Sequence, residues 1–319
     1  MTSSNMTQIK FMTYNVWSCE RVAVYRRIKS ICEIIEYHDP DVIFLQEVNR
    51  YIWNIFEESP WWEKYKRCSS KDGNHQYPWT MVIQSQHGSF LLPCAEQDRS
   101  ERCGYSRPQR QDGVWHATLP RPEIPPAGHV PSDLLSAWVY NTKSRGPKCL
   151  RVATCSMAGP TSSEIGSVHR RERAAAFLEH FNALNQKLSG RRISSFVLGG
   201  DFGWDDDLDG PLRLPDAWLE LRGDGDGDGD GKWTYDVVAN RMLRGLTKPG
   251  RRKADRFICK LKDFTLVSIE MVGVEPIPGV TRFDDEGNAC RCSRAITMAW
   301  CSLSPRSRTS RPAGVCSTD

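Results

Sequence analysis

Apolar positions recur along the chain in two rhythms, and they predict alternating strands and helices. Residues 9–16, IKFMTYNV, are dense in β-branched and aromatic side chains and predict a strand. From about Arg21, the residues Val24, Ile28, Ile31 and Ile35 fall at helical spacing. HDPD at 38–41 stops that helix, because the residue before a proline avoids helical backbone. VIFLQEV (42–48) is an apolar run that gives way to Gln46 and Glu47, the pattern of a strand buried on both faces whose end emerges at a surface. A second helix is predicted through Ile55, and a strand over YPWTMVIQS (77–85). LLSAWVYN and CLRVATCS form two strand-like runs around the turn TKSRGPK. In SVHRRERAAAFLEHFNALNQKLSG, Ala174, Phe177, Leu178, Phe181, Leu184 and Leu188 mark one helical face, with Ser167 to cap its start and Gly190 to end it. SSFVLGGD reads as a buried strand, and FTLVSIEMVG as the last clear one. Strands outnumber helices, and several pairs are joined by turns too short for a crossover helix. The expected fold is therefore α/β with mixed sheets and helices outside, not a doubly wound parallel sheet.

The rhythm breaks in two places. Residues 86–133 are rich in Pro, Arg, Gly and Gln with few branched aliphatics, and are expected to be a largely disordered insertion. Residues 286–319 lose periodicity altogether, so a domain over 1–285 and a disordered basic tail are expected. That tail carries Arg291, Arg294, Arg306, Arg308 and Arg311 against Glu286 and Asp319, so most of the net charge of +4 sits there and the body is close to neutral. Overall charge then says little about partners, and any nucleic-acid contact must be local. No apolar run approaches membrane-spanning length, and the start MTSSNMTQIKF lacks the basic-then-apolar pattern of a secretory signal, so an intracellular protein with no membrane partner is expected. The twelve cysteines include no CxxC pair, and reduced thiols are expected.

Chemistry enters where buried strands end in oxygen-bearing side chains: Asn15 after FMTY, Glu47 after IFLQ, Asp201 after FVLGG. Strand ends that converge would bring these oxygens to one rim. Carboxylate and amide oxygens suit a hard cation such as Mg²⁺, with Mn²⁺ as the alternative, which keeps water and substrate phosphate in its remaining positions.

These segments resemble the endonuclease/exonuclease/phosphatase superfamily, and within it the tyrosyl-DNA phosphodiesterase branch. The marks are TYNVW, FLQEV, LGGDFGWDD, WTYD and ADRFIC, five motifs in the family's order over residues 9–85 and 134–285. The resemblance implies a four-layer α/β/β/α sandwich with the active site at one edge. It implies that Glu47 ligates Mg²⁺, that Asn15 holds Glu47 and the phosphate in register, that Asp201 activates the attacking water, and that Asp255 orients a C-terminal histidine. It places Thr234, Tyr235 and Asp236 near the phosphate and leaving group. Trp204, Arg170 in HRRER and Arg256 in GRRKADR complete the expected substrate contacts, although HRRER reads equally well as a solvated helix start. The implied activity is hydrolysis of a 5′-phosphotyrosyl DNA bond in repair, by a monomer in the nucleus or cytoplasm. A phenolate leaving group, of pKa about 10, makes that reaction easier than expelling an alkoxide.

Three departures stand against full competence. The family's terminal Ser-Asp-His is expected after PGVTRFDDEGN, yet none of the seven histidines lies beyond His180. The family's Asn two positions after the Asp is Gly203 here, and its histidine after the VAT strand is replaced by Ser156 and Met157. Each lost donor costs about 10²- to 10³-fold in rate. The alternatives are a catalytically inactive or truncated binder of DNA ends, or another phosphodiesterase of the superfamily such as an endonuclease. DDDLDGPLRLPD has acids at calcium-loop spacing, but Pro211 follows the glycine and a strand precedes it, so a calcium site is not expected.

Overall fold

The computed structural model describes residues 8–69, 79–85, 90–91, 110–111, 114–115, 117–118, 133–141, 148–157, 166–168, 170–175, 195–223, 233–247, 250–293 and 297–305. Two mixed sheets stack face to face. The first runs β15 (Phe264–Glu270), β18 (Thr297–Pro305), β1 (Ile9–Asn15), β2 (Val42–Val48), β4 (Trp79–Ser85) and β3 (Tyr65–Ser69). The second runs β14 (Asp255–Lys260), β11 (Phe196–Asp201), β10 (Lys148–Ser156), β9 (Asp133–Asn141) and β5 (Phe90–Leu91), with β8 (Ala117–Thr118) also on β9. Short pairs join β6 (Arg110–Gln111) to β7 (Val114–Trp115), β12 (Tyr235–Asp236) to β13 (Arg251–Arg252), and β16 (Thr281–Phe283) to β17 (Ala289–Arg291). The parallel pairs are β1 with β2 and β10 with β11, and everything else is antiparallel, as the short connections demanded.

The parallel β1/β2 pair needs a crossover, and α1 (Val24–His38) supplies it. Its apolar stripe of Val24, Ile28, Ile31 and Ile35 joins α2 (Arg50–Glu57) against the outer face of the first sheet. Asn49 caps α2 by accepting from the Ile52 amide at 2.9 Å. Between the sheets, Phe11 and Phe44 from one meet Val197 and Phe257 from the other. On the outer face of the second sheet, Leu198, Phe202 and Trp204 pack with Ala174 of α3, whose described residues are 166–168 and 170–175. Two short helices, α4 (Asp206–Asp209) and α5 (Ala217–Arg222), follow β11. The layers are therefore helix, sheet, sheet, helix, as the resemblance implied. One position shows why LGGD carries glycine: a β-carbon at Gly199 would lie 2.6 Å from Phe44 Cδ2 and 2.7 Å from Phe257 Cε1, so a side chain there would push the sheets apart.

The C-terminal segment departs from expectation. Residues 289–291 and 297–305 are strands, not tail, and β18 sits inside the first sheet between β1 and β15. Its inward Cys301 and Leu303 are fully buried, while the buried Ser302 meets Ser268 across the strand pair, Oγ to Oγ at 2.7 Å. Serine and cysteine at buried positions erased the apolar alternation that sequence reading relies on. Within 86–133, Phe90–Leu91 and Ala117–Thr118 are strands paired with β9, and most of the rest of that expected insertion lies outside the described residues. The predicted helix beyond residue 175 also lies outside them, and β3 and β14 are further strands the pattern did not reveal.

Candidate active site

Three strand ends meet at one edge of the sandwich. Asn15 closes β1, Glu47 lies near the end of β2 and Asp201 closes β11, so two come from the first sheet and one from the second. The Asn15 amide joins them: Nδ2 donates to Glu47 Oε1 at 2.8 Å and to Asp201 Oδ2 at 2.7 Å. Its Oδ1 accepts from the Trp17 amide at 2.9 Å, so the buried side chain has one orientation that satisfies all three contacts.

Glu47 reaches this point through an irregularity. The β2/β4 register breaks between Leu45 and Val48, and Glu47 itself has φ 60°, a left-handed conformation that a branched or long side chain adopts only when its surroundings demand it. The bulge turns the carboxylate toward β1. There Oε2 accepts from the Ser18 amide and hydroxyl, both at 3.1 Å. Beneath it Gln46, fully buried, donates from Nε2 to Thr13 Oγ1 at 3.1 Å and Thr154 Oγ1 at 2.9 Å, a polar bridge between the two sheets.

Asp201 is half-buried and its Oδ1 accepts from the Gly203 amide at 2.7 Å. Burial pushes its pKa up, and the Glu47 charge adds to this, while the Asn15 and Gly203 hydrogen bonds and the Arg252 charge pull the other way. The outcome is a carboxyl raised above its ordinary value, better placed than a normal aspartate to hold a proton during reaction. Asp255 lies directly opposite Asp201 in the β11/β14 register and is buried.

The donor set suits a hard cation: a part-exposed glutamate held by Asn15 and Ser18, with a second carboxylate joined to it through the Asn15 amide. Mg²⁺ takes one or two such carboxylates and keeps water, so it requires no closed cage. Among the described residues no cluster of three or more His, Cys, Asp or Glu forms a cage of that kind.

This arrangement coincides with a family match. The model of the Endonuclease/Exonuclease/phosphatase family matches residues 12–279. The chain belongs to the endonuclease/exonuclease/phosphatase family. A search of curated protein sequences finds no match. Among solved structures, D. rerio TDP2 complexed with a single-strand DNA product has a TM-score of 0.62 at 14% identity, covering 93% of this chain and 99% of its own. The human Nocturnin catalytic domain with a bound sulfate anion has a TM-score of 0.57 at 14% identity, covering 94% of each chain. A Bacteroides thetaiotaomicron mannosyl-6-phosphatase has a TM-score of 0.59 at 14% identity, covering 93% of this chain and 99% of its own. At such identity these likenesses establish the fold, and the chain is a phosphoesterase of the endonuclease/exonuclease/phosphatase superfamily, whose members are generally Mg²⁺-dependent.

The other expected site residues divide. Thr234 Oγ1 accepts from the Asp255 amide at 2.9 Å, which ties WTYD to the end of β14. Tyr235 lies under Arg252, with the guanidinium carbon 3.8 Å from the ring centroid. Asp236 closes a turn by accepting from the Val238 and Ala239 amides, and pairs with Arg251 at 3.1 Å. Three residues expected at the substrate face inward instead. Arg170 is buried in a two-pronged pair with Asp209, Nε to Oδ2 at 2.7 Å and NH2 to Oδ1 at 2.6 Å. Arg256 is buried against Asp216 and Asp206, each at 2.9 Å. Trp204 is buried and donates to the Gly210 carbonyl at 2.9 Å. For the two arginines the cause is shared: the acids of DDDLDGPLRLPD need counter-charges, and Arg170 and Arg256 supply them. The same pairs take Asp209 and Asp216, two of the acids at calcium-loop spacing, while Asp205 caps α4.

Sequence reading missed Ser18 and Arg27. The fully buried Arg27 guanidinium donates to the carbonyls of Val16, Trp17, Cys19 and Val22, holding the loop that carries Ser18 to Glu47. Burial lowers its pKa to about 10, leaving it charged at neutral pH. The signal was present, since Arg27 lies on the apolar face of α1 beside Val24, Ile28 and Ile31.

Proposed function

We propose that this centre is a Mg²⁺-dependent phosphodiesterase site that releases a tyrosyl group from a 5′ DNA phosphate. The observation that carries the chemistry is the single Asn15 amide bonded to both Glu47 and Asp201. In this reading Glu47 holds the cation and Ser18 fixes the carboxylate that does so. A Mg²⁺ ion bound there supplies charge neutralisation for a phosphate that otherwise repels its nucleophile. Asp201 takes the proton of the water that attacks phosphorus. The P–O bond to the tyrosyl oxygen breaks in line, and the phenolate leaves without needing a proton, its pKa being about 10. Asn15 fixes the distance between the carboxylate that would hold the cation and the one that would take the proton. Asp255 has no histidine after His180 to orient, and is given no proton-transfer role.

The choice of substrate is supported by WTYD and its tie to Asp255, and by the likeness to a TDP2 fold that holds a DNA product. A 5′-phosphotyrosyl oligonucleotide, an abasic duplex, an oligoadenylate and mannose 6-phosphate, offered side by side with Mg²⁺, test it. Tyrosine release is expected to be fastest. Faster turnover of another member of the set would sustain the chemistry and reject the substrate. Tight binding of DNA ends with no turnover of anything would make the chain the inactive homologue.

A further inference from the structure

The described arginines at this edge are matched with acceptors, except one. Arg27 has four carbonyls, Arg170 has Asp209, Arg251 has Asp236, and Arg256 has Asp206 and Asp216. Arg252 is 8% exposed, yet among the described residues its guanidinium has neither a carboxylate nor a carbonyl partner, and rests instead on the face of Tyr235. A buried guanidinium without a hydrogen-bonded acceptor is costly, and a ring face compensates only part of that cost. The group is held at the reaction edge: β13 pairs Arg252 with Tyr235, Thr234 is bonded to Asp255, and Asp255 faces Asp201. Its charge is near enough to Asp201 to pull that carboxyl's pKa down against the effect of burial.

The sequence holds no histidine beyond His180, so the C-terminal histidine implied by the family resemblance is missing. β18, whose first residue Thr297 pairs with Asn15, is present, but the sequence ahead of it reads Ser293-Arg294-Ala295 and holds no Ser-Asp-His. We propose that Arg252 binds the scissile phosphate and stabilises its developing negative charge, the task the resemblance assigns to the absent histidine. Guanidinium suits that task because its planar fork offers two parallel donors to phosphate oxygens. It does not suit proton donation, because arginine stays protonated. The leaving oxygen therefore departs as an anion, which restricts the substrates to esters of acidic alcohols such as phenols. This deepens the proposed function and rests on it.

The test uses the full chain with Mg²⁺ and the p-nitrophenyl ester of thymidine 5′-phosphate, with Glu47→Ala separating failure of the general reading from failure of this one. Arg252→Gln and Arg252→Ala are expected to lose about 10²- to 10³-fold in kcat. Added guanidinium ion is expected to restore at least part of the Arg252→Ala rate and to leave the wild type unchanged, which a purely structural role would not produce. Across substituted phenyl esters the wild-type rate is expected to fall steeply as the leaving-group pKa rises. A folded Arg252→Gln with wild-type rate, a collapse in Arg294→Ala but not in Arg252→Gln, or a rate indifferent to the leaving group would each overturn the proposal. Should the wild type hydrolyse nothing, or the Arg252 variants not fold, calorimetry with inorganic phosphate decides on the wild type and Arg252→Lys. At least tenfold weaker binding by Arg252→Lys supports the fork, and equal binding or none to the wild type overturns it.

Discussion

Replacing Asn15 by alanine removes an amide that bridges two carboxylates, and the cost follows from its contacts. Two hydrogen bonds to charged acceptors are lost, at 2.8 and 2.7 Å. Such bonds contribute about 1.5–3 kcal/mol each, though a single amide serving both does not give the full sum. The bonded oxygens of Glu47 and Asp201 are no more than about 5.5 Å apart, and at an effective dielectric near 20 two unit charges at that distance repel by about 3 kcal/mol. Water entering the gap and protonation of Asp201 relieve part of this, so we expect Asn15→Ala to destabilise the metal-free protein by about 3 kcal/mol at pH 7.5. The pH dependence has a definite sign. Asp201 in the folded chain already lies above its ordinary 3.8, and Asn15 opposes that rise. Without Asn15 the folded value moves further up while the unfolded value stays, so the variant is penalised as pH rises and Asp201 is forced to ionise, and the penalty shrinks toward pH 4. Urea unfolding of both proteins in EDTA at pH 4.5 and 7.5 measures it. A difference within about 0.5 kcal/mol at both pH values, the range of an uninvolved surface residue, would mean that Asn15 does not hold the two carboxylates together.

Other consequences follow from the same geometry. Arg170→Met leaves Asp209 charged and buried, and is expected to cost about 3–5 kcal/mol in denaturant unfolding, most of it recovered when Asp209 is also made apolar. Gly199→Ala drives a methyl group into Phe44 and Phe257 and is expected to cost about 1–3 kcal/mol, read as a lowered Tm. Hydrolysis is expected to rise with pH through an ionisation above the ordinary aspartate value and then level, because Asp201 accepts a proton only when ionised; in Asp201→Asn the profile is expected to be flat and the rate lower by about 10²-fold or more.

How far the sequence spoke depended on whether burial and polarity agreed. Where apolar side chains filled buried positions, as in Phe11, Val42, Phe44 and Val197, strands and their polar ends could be read directly, and with them Asn15, Glu47 and Asp201. Where polar side chains were buried, reading failed in both directions. Ser302 and Cys301 hid a central strand, and Arg170 and Arg256, each in a basic run, passed for substrate contacts when they are the counter-charges of Asp209 and Asp216. Arg27 shows a readable case that was overlooked, a cation on an apolar helical stripe whose partners are backbone carbonyls. No local pattern reports such partners. The bulge at Glu47 is also invisible in sequence, since nothing in LQEV announces a left-handed glutamate.

Asn15, Glu47 and Asp201 are proposed to act as one metal-dependent hydrolytic centre. Its most direct measurement is release of p-nitrophenol from the aryl ester of thymidine 5′-phosphate by the wild type, Glu47→Gln and Asp201→Asn, each with Mg²⁺ and with EDTA. Turnover by the wild type that EDTA abolishes is expected, with a loss of about 10²-fold or more in each variant while both remain folded. Turnover that survives EDTA, or that Glu47→Gln and Asp201→Asn share with the wild type, would contradict it.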